Sequence, residues 1–325
     1  QLSGRTLGLR ADTTPQAARI DAHLINNPGV TRLCYCGPVL HTRPQALRGS
    51  REQLQFGAEI FGHAGLEADL EAQSLAIDAL QGAGVDRLVI DLADARVLRG
   101  VLAGVPLESA RLQDVVQALT EKDAPALASL TEGVPEVART SLKDLMGLYG
   151  GLDVLDRAAE LLPQRPLVRK ALDDLRWLAT HLQAVYPSLQ VAFDLSDMSG
   201  YTYYSGPRFG LYGAGWSDAL ARGGRYDEVG AIFGRNRPAA GFSLDLKALA
   251  EVAGDVPQPC GILAPWREDS SLRAAVGQLR DAGEVVVFEL PGHGSQAEAV
   301  DCDRELVSVA GRWVVQARAL APQRP

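Results

Sequence analysis

Histidine and cysteine side chains carry much of the metal binding and nucleophilic catalysis in proteins, and this chain has five histidines and four cysteines. The histidines lack the spacing of metal ligands, so we predict that each is a surface residue or a hydrogen-bonded core residue. They are His23, His41, His63, His181 and His293. The sequence also lacks a Walker A loop, a Gly-x-Gly-x-x-Gly motif after a strand, a His-Glu-x-x-His motif and a Gly-x-Ser-x-Gly elbow. It therefore predicts no metal centre, no cofactor and no nucleophile–base pair.

The four cysteines, at positions 34, 36, 260 and 302, form neither a Cys-x-x-Cys motif nor a paired zinc knuckle. Cys34 and Cys36 are two residues apart in a strand-like segment, so they would share one face of that strand. We predict that they are buried as small hydrophobic residues and neither bind metal nor form a disulfide. Unpaired cysteines fit a reducing compartment, so the sequence predicts a cytoplasmic protein.

The composition is that of an ordinary globular protein. The chain has 325 residues, of which 46% are hydrophobic and 22% charged, enough for one large core and a smaller second domain. Its net charge of −8 is opposite in sign to the basic footprint of most nucleic-acid-binding proteins, which argues against tRNA binding. No run approaches 18 apolar residues, so no membrane span is predicted. The chain begins without a signal-peptide pattern or a start methionine, and we expect that an N-terminal segment is missing.

Hydrophobic periodicity and turn residues predict a mixture of strands and helices over the first 256 residues. Thr14 followed by Pro15 is a typical helix start, and Leu66, Leu70, Ile77 and Leu80 form one apolar helical stripe. The other predicted elements are strands at 5–10, 31–40, 51–62, 87–92 and 191–195, a loop at 41–50, a mostly helical region at about 94–185, and a hairpin at 201–222.

The last part of the chain, residues 257–325, predicts a small C-terminal α/β unit. Pro257-Gln-Pro259 is typical of a linker. It is followed by a strand at 260–264, a helix at 270–282 and a strand at 284–290, the pattern of a βαβ unit. A final strand is predicted at 312–317.

Several segments, in order along the chain, resemble histidyl-tRNA synthetases and cover roughly residues 5–250. They are Leu9-Arg-Ala-Asp-Thr-Thr-Pro15, Cys36-Gly-Pro-Val-Leu-His41, Gln55-Phe-Gly-Ala-Glu-Ile-Phe-Gly62, Tyr203-Tyr204, Gly223-Gly-Arg-Tyr-Asp227 and Gly241-Phe-Ser-Leu-Asp-Leu246. The resemblance implies an α+β fold of the class II aminoacyl-tRNA synthetase type, with an antiparallel sheet flanked by helices. This domain would span 1–256, with a helical insertion within about 94–185.

The resemblance also implies an amino-acid pocket. Asp12, where the synthetases have glutamate, would contact the α-amino group of the ligand, with Thr14 nearby. Gln55 and Glu59 would lie on the strand that forms the pocket floor, where an ammonium or imidazole group could be held. Polar groups that converge in an apolar cleft suit a small amino acid.

Three tyrosines complete this implied histidine-binding pocket. Tyr203 and Tyr226 would flank the imidazole ring and offer hydroxyl groups, and Tyr204 belongs to the same hairpin motif. The alternative is that these residues are core packing retained from an ancestral enzyme, in which Glu59, Gln55 and Tyr226 satisfy one another without a ligand.

Three arginines that the synthetase resemblance leads us to expect are absent. Adenylation needs guanidinium groups to neutralise the ATP phosphates, because a planar and permanently charged fork suits phosphate. The positions that align with them hold His41, Ser199 and Ala248. The chain is therefore predicted to have no catalytic residue, and its short non-basic tail differs from the anticodon-binding domain of the family.

Longer uninterrupted matches identify the chain as similar to the regulatory subunits of short-form ATP phosphoribosyltransferase. They include Gly57-Ala-Glu-Ile-Phe-Gly-His-Ala-Gly65 and Ala219-Leu-Ala-Arg-Gly-Gly-Arg-Tyr-Asp-Glu-Val229. This resemblance implies a homodimer within a hetero-octamer with the short catalytic subunit, and feedback inhibition by L-histidine as effector. Two alternatives stay open, which are an active histidine-activating enzyme with arginines placed elsewhere and a scaffold that binds no histidine.

Overall fold

The structure, a computed structural model, describes Gly4 and residues 8–43, 50–253, 260–292 and 301–318. The chain divides into two compact units, Gln1–Gly254 and Asp255–Pro325. The predicted linker at 257–259 lies outside the described residues, as do residues 5–7 of the first predicted strand and most of the predicted loop at 41–50. Residues 8–10 form no regular element, so the strand prediction is wrong there. Among the described helices, none is long and apolar enough to cross a membrane.

One eight-stranded sheet organises the first unit. Its strands are β1 (Thr31–Leu40), β2 (Glu52–Phe61), β3 (Val89–Asp94), β4 (Tyr149–Gly150), β5 (Gln190–Asp194), β6 (Pro207–Tyr212), β7 (Ala221–Arg225) and β8 (Ala239–Asp245). They lie side by side in the order β1-β2-β8-β7-β6-β3-β5-β4. Neighbouring strands are antiparallel except β3 and β5, which are parallel. The predicted antiparallel sheet is confirmed with that one exception, and the predicted hairpin at 201–222 is formed by β6 and β7, closer to the C-terminus.

Helices of the same unit lie on both faces of this sheet. They are α1 (Thr14–Ile20), α2 (Leu66–Gly82), α3 (Ala95–Val101), α4 (Ser109–Thr120), α5 (Ala124–Leu130), α6 (Glu136–Leu145), α7 (Asp153–Leu161), α8 (Pro166–Val185) and α9 (Leu246–Ala253). Helices α2–α9 contribute to a hydrophobic core on one face, whereas Ala17 and Ala18 of α1 pack against Phe61 on the other. Helices α3–α8 occupy the region that the sequence predicts as helical. Ile77 and Leu80 of α2 pack with Leu92 of β3 and Leu175 of α8 in one fully buried hydrophobic core. This core holds the sheet rigidly from behind.

The other face of the sheet carries two rows of directly paired residues, which matter for the site. Because paired residues in a ladder point to the same side of the sheet, each row forms a line across it. The first row is Tyr35, Gly57, Ser243, Arg222, Gly210 and Asp91, and the second is Leu33, Glu59, Gly241, Gly224, Arg208 and Ala93. The small residues Gly57 and Ser243 in the first row leave space beside Arg222, and Gly241 and Gly224 in the second row leave space between Glu59 and Arg208.

The predicted burial of Cys34 and Cys36 is wrong, since both are exposed. They share one face of β1, as the strand period requires, but it is the face opposite to Leu33 and Tyr35, which are partly buried. Periodicity alone shows which residues share a face and does not show which face is covered.

The second unit is a four-stranded sheet with one helix, arranged in the order β10-β9-β11-β12. Its elements are β9 (Gly261–Pro265), α10 (Ser270–Asp281), β10 (Val286–Glu289), β11 (Cys302–Val309) and β12 (Arg312–Ala317). Strands β9 and β10 are parallel and joined through α10, so the predicted βαβ pattern is confirmed. Strand β11 was not predicted, because its charged residues interrupt the apolar alternation that identifies strands.

Candidate ligand-binding site

A cavity of about 260 Å³ opens on the face of the large sheet that carries the two rows of paired residues. It is lined by Asp12, Thr14, Glu59, Ser199, Gly200, Tyr203, Tyr204, Arg208, Arg222, Gly223, Tyr226, Gly241, Phe242 and Ser243. The structure thus brings together six of the seven side chains that the sequence singles out. The seventh, Gln55, lies immediately behind Asp12 and holds it by a hydrogen bond.

Glu59 is the centre of the hydrogen-bond network at one end of the cavity, and only 1% of its surface is exposed. The hydroxyl of Tyr35 donates to Oε1 at 2.9 Å, and the hydroxyl of Tyr226 donates to Oε2. Because the single hydroxyl proton of Tyr35 is used in this way, the hydroxyl of Thr14 donates to Tyr35, at 2.9 Å. Each carboxylate oxygen retains a lone pair, so Glu59 can also accept a hydrogen bond from a ligand.

The pKa of Glu59 is raised from 4.5 to about 7, because burial disfavours the carboxylate more than the hydrogen bonds from Tyr226 and Tyr35 favour it. Between these two values the folded protein holds a proton that the unfolded chain has released, so its stability falls as the pH rises from about 4.5 to about 7.

The isosteric Glu59→Gln variant removes this titration. We expect the free energy of unfolding, measured in urea, to fall by about 3 kcal/mol more in wild type than in the variant between these two pH values. A stability difference that does not change with pH would contradict this account.

Three tyrosines form the aromatic wall of the cavity. The rings of Tyr203 and Tyr226 are stacked with centroids 5.2 Å apart, and Tyr204 meets Tyr203 edge-on, also at 5.2 Å. Burial raises the pKa of Tyr203 and Tyr226, with the charge of Glu59 as the next cause. Their hydroxyl groups therefore remain protonated, so they can donate hydrogen bonds at neutral pH.

Asp12 is held beside this wall by backbone and side-chain donors. Its Oδ1 accepts a hydrogen bond from Nε2 of Gln55 at 2.8 Å and another from the backbone of Thr14 at 3.1 Å. Oε1 of Gln55 accepts from the backbone of Thr13 at 2.8 Å, which fixes the orientation of its amide. Within the described residues Oδ2 of Asp12 accepts no hydrogen bond, so it is available to a cationic group in the cavity.

Arg225, which no sequence argument singled out for a role, positions Tyr226. Its guanidinium group pairs with the buried carboxylate of Asp69 at the start of α2 and donates to the carbonyl oxygens of His63 and Gly65. It also contacts Asp227, whose carboxylate accepts from the backbone of Ala239 at 3.0 Å. These contacts anchor the end of β7 to α2 and β8. Tyr226 is thereby directed at Glu59.

Gly241 provides the space that Glu59 occupies, because the two residues are directly paired across β8 and β2. A Cβ atom at Gly241 would overlap the Glu59 carboxylate and the backbone oxygen of Ala58. We expect Gly241→Ala to lower the free energy of unfolding by about 1–3 kcal/mol in urea titrations. The matched control is Gly277→Ala in α10, where a Cβ meets nothing within 4 Å and replacement of a helical glycine is expected to be neutral or stabilising. Equal losses in the two variants would argue against this steric explanation.

Three residues of the cavity region were missed by the sequence analysis. Tyr35 is paired with Gly57 across β1 and β2, so its side chain lies on the same face of the sheet as Glu59. A correct prediction of this strand register would have indicated their contact. Arg208 and Arg222 line the cavity from β6 and β7, which lie three and two strands away from the Glu59 strand β2 in the sheet. Arg208 is buried and ion-paired with Asp197.

The three residues that the sequence analysis predicts in place of the synthetase arginines lie in different surroundings. Ser199 lines the cavity, and its hydroxyl donates to Asp197 at 2.6 Å. His41 follows β1 with its Nε2 2.9 Å from the carbonyl oxygen of Ala11. Ala248 lies in α9, outside the set of residues that line the cavity. Among the described residues, no group of three or more histidine, cysteine, aspartate or glutamate side chains is arranged to hold a metal ion.

Comparison with known proteins agrees with this fold. Residues 1–249 match the family model of histidyl-tRNA synthetase, and residues 259–316 match that of the ATP phosphoribosyltransferase subunit HisZ C-terminal domain. A solved structure from Bacillus halodurans, described as an ATP phosphoribosyltransferase regulatory subunit/histidyl-tRNA synthetase, has a TM-score of 0.79 at 26% identity over 93% of this chain and 81% of its own. A chain of the ATP phosphoribosyl transferase (HisG:HisZ) complex from Thermotoga maritima has a TM-score of 0.59 at 17% identity, over 76% of this chain and 84% of its own, a likeness of fold.

The fold and the cavity define a histidyl-tRNA synthetase-like protein. A protein of Variovorax paradoxus (strain S110), an ATP phosphoribosyltransferase regulatory subunit, is 57% identical over 318 residues, which cover 98% of this chain and 82% of the relative. The chain belongs to the family of ATP phosphoribosyltransferase regulatory subunits, and the resemblance found from its motifs is confirmed.

Proposed function

We propose that this chain is the histidine-sensing, non-catalytic subunit of an ATP phosphoribosyltransferase, which activates a short catalytic subunit and inhibits it when L-histidine binds. The observation that carries this proposal is the buried Glu59 network, which faces an amino-acid-sized cavity with arginine at its other end. A relative that is 57% identical and named as the regulatory subunit supports the same role.

The geometry suits histidine in one orientation. The imidazole would lie against the Tyr203–Tyr226 wall and donate a ring N–H to Glu59, the buried acceptor at that end. The α-ammonium group would reach Asp12. In the described part of the chain both hydrogen bonds to this carboxylate are accepted by Oδ1, and Oδ2 accepts none. Both contacts are charge-assisted, so they are stronger than hydrogen bonds between neutral groups.

We also propose that the chain does not activate histidine by adenylation. Ser199 offers a hydroxyl where the synthetases have a cation, and this hydroxyl is occupied by Asp197. His41 and Ala248 stand at the other two arginine positions, and neither lines the cavity. Without these fixed guanidinium groups, a developing charge on the ATP phosphates would lack most of its electrostatic stabilisation.

Regulation requires that histidine bind the inhibited conformation of the assembly more tightly than the active one. A coupling free energy of about 1–3 kcal/mol is usual in allosteric systems. The assembly would be a cytoplasmic hetero-octamer in which this chain forms homodimers, since homo-oligomers are most often two-fold symmetric. Binding of tRNA is not part of this function, because the chain is acidic overall, with a net charge of −8.

The test is phosphoribosyl-ATP formation by the short catalytic subunit, measured with and without this chain across a histidine titration. We expect the chain to raise the rate and histidine to reverse that stimulation. A rate that is unaffected by the folded chain at every histidine concentration would overturn the proposal.

A histidine-activating enzyme is the second candidate, because Arg208 and Arg222 place guanidinium groups in the cavity. Arg208 is already neutralised by Asp197, which leaves one arginine where adenylation is expected to need several. Histidine-dependent ATP–pyrophosphate exchange separates the two candidates, and we expect none above background.

A further inference from the structure

The cavity has opposite electrostatic character at its two ends. Glu59 lies on β2, and Asp12 is hydrogen-bonded to Gln55 of the same strand, so both carboxylates lie at one end, whereas Arg222 and Arg208 lie two and three strands away on β7 and β6. Both arginines come from neighbouring strands of the rigid sheet, and each is paired with a glycine across the ladder, Arg208 with Gly224 and Arg222 with Gly210. The cavity therefore presents acceptors and a cation to the two ends of one small ligand.

The two arginines are not equivalent. Arg208 is 7% exposed, forms an ion pair with Asp197 and donates to the carbonyl oxygen of Ser199 at 3.4 Å. Its guanidinium group is committed to the protein, so it shapes the wall of the cavity. Arg222 is exposed, and within the described residues it makes neither a hydrogen bond nor an ion pair.

Two carboxylates near Arg222 are engaged by other cations. Asp197 pairs with Arg208, and Asp194 pairs with Lys122 at 2.9 Å. Burial raises the pKa of Asp91 to about 6, with the charge of Asp194 as the next cause. Against the effect of burial, the charge of Arg208 and the hydrogen bonds from Ser199 hold the pKa of Asp197 below its usual value, and the charge of Arg222 adds to this effect. Arg222 is thus close to this cluster without being neutralised by direct contact.

We propose that Arg222 binds the α-carboxylate of the amino acid and makes the site specific for a free amino acid. This inference rests on the histidine site proposed above and adds its third contact. Ser243, which lies directly across the ladder from Arg222 and also lines the cavity, offers a neighbouring hydroxyl donor. A planar guanidinium fork matches both oxygens of a carboxylate, and Arg222 can present this fork from β7.

Arg222 thereby determines which ligands the site accepts. An amine without the carboxylate loses a charge-assisted hydrogen bond, which costs about 10-fold or more in affinity. An amino acid whose carboxylate is esterified or converted to an amide loses the same contact. The cavity of about 260 Å³ limits the remainder of the ligand to the size of one amino acid.

The test is calorimetric titration of the chain with L-histidine and with histamine, which keeps the imidazole and the ammonium group but lacks the carboxylate. We expect wild type to bind histidine at least about 10-fold more tightly than histamine. Arg222→Gln is expected to abolish this preference by weakening histidine alone, and Arg222→Lys to retain part of it, because lysine keeps the charge without the fork. Arg169→Gln, at an exposed arginine of α8, is the matched control and is expected to keep the full preference.

The outcomes separate this inference from the site on which it rests. If wild type binds histidine and Arg222→Gln keeps the same preference for histidine over histamine, the carboxylate contact is overturned and the histidine site stays intact. Equal weakening of both ligands in Arg222→Gln would also overturn it, because histamine has no group for Arg222 to bind. Failure of wild type to bind either ligand would overturn the site and the carboxylate contact together.

Discussion

Arg225→Leu is expected to lower the free energy of unfolding by about 3–5 kcal/mol, measured by urea denaturation. Arg225 is 6% exposed and Asp69 only 2%, so the substitution leaves a buried carboxylate without its cation. The carbonyl oxygens of His63 and Gly65 lose their donor in the same step. The end of β7 is then no longer tied to α2, and Tyr226 loses its fixed position beside Glu59.

Arg32→Leu is the matched control for this prediction. Arg32 forms a bidentate pair with Glu71 at 2.6 and 2.8 Å, but the two side chains are 60% and 45% exposed. Its loss is expected to cost no more than about 1 kcal/mol, because water screens exposed ion pairs. Adding Asp69→Asn to Arg225→Leu should recover part of the stability, since it removes the uncompensated charge. A double variant no more stable than Arg225→Leu alone would show that the buried charge is not the cause.

Glu59→Gln is expected to weaken histidine binding by at least about 30-fold at pH 8, measured by calorimetry. At this pH Glu59 is mostly ionised, because its pKa is about 7. Glutamine keeps the shape of the side chain, and its Oε1 can accept from one tyrosine while its Nε2 donates to the other, so the change removes the negative charge facing the imidazole and reverses one hydrogen bond. Loss of one partner of a buried charged hydrogen bond costs 2–5 kcal/mol or more, and 2 kcal/mol corresponds to about 30-fold in affinity.

The control for charge alone is Glu67→Gln. Glu67 is exposed and bonds to His63 at 3.0 Å, outside the cavity. The same substitution there is expected to leave histidine affinity within about two-fold of wild type. Comparable losses in Glu59→Gln and Glu67→Gln would contradict a specific role for the buried carboxylate and would point to the net charge of the chain.

The architecture of the first unit was predictable because its signals are local or belong to an extended motif pattern. Strand β1 was predicted with its observed bounds, and α2 ends at Gly82 as its turn residues indicate. The convergence of Glu59 with Tyr226 followed from the resemblance of two distant motifs, which no periodicity argument relates. Their contact depends on the ladder that pairs β2 with β8 and β8 with β7.

The features that the sequence analysis missed depend on register and packing. Tyr35 reaches Glu59 because β1 pairs with β2 in one particular register, and a shift of one residue would turn Tyr35 to the other face. The exposure of Cys34 follows from the same choice of face. Arg222 stands out only when the partners of the neighbouring carboxylates are known, and those partners come from distant parts of the chain.

The proposed function places the control of the enzyme by histidine at the cavity around Glu59. Its most direct test is the histidine concentration for half-inhibition of phosphoribosyl-ATP formation, measured for the catalytic subunit assembled with wild type or with the Glu59→Gln chain. A midpoint at least about 30-fold higher with the variant is the predicted result. Equal midpoints in the two assemblies would contradict the claim and would place the inhibitory histidine outside this cavity.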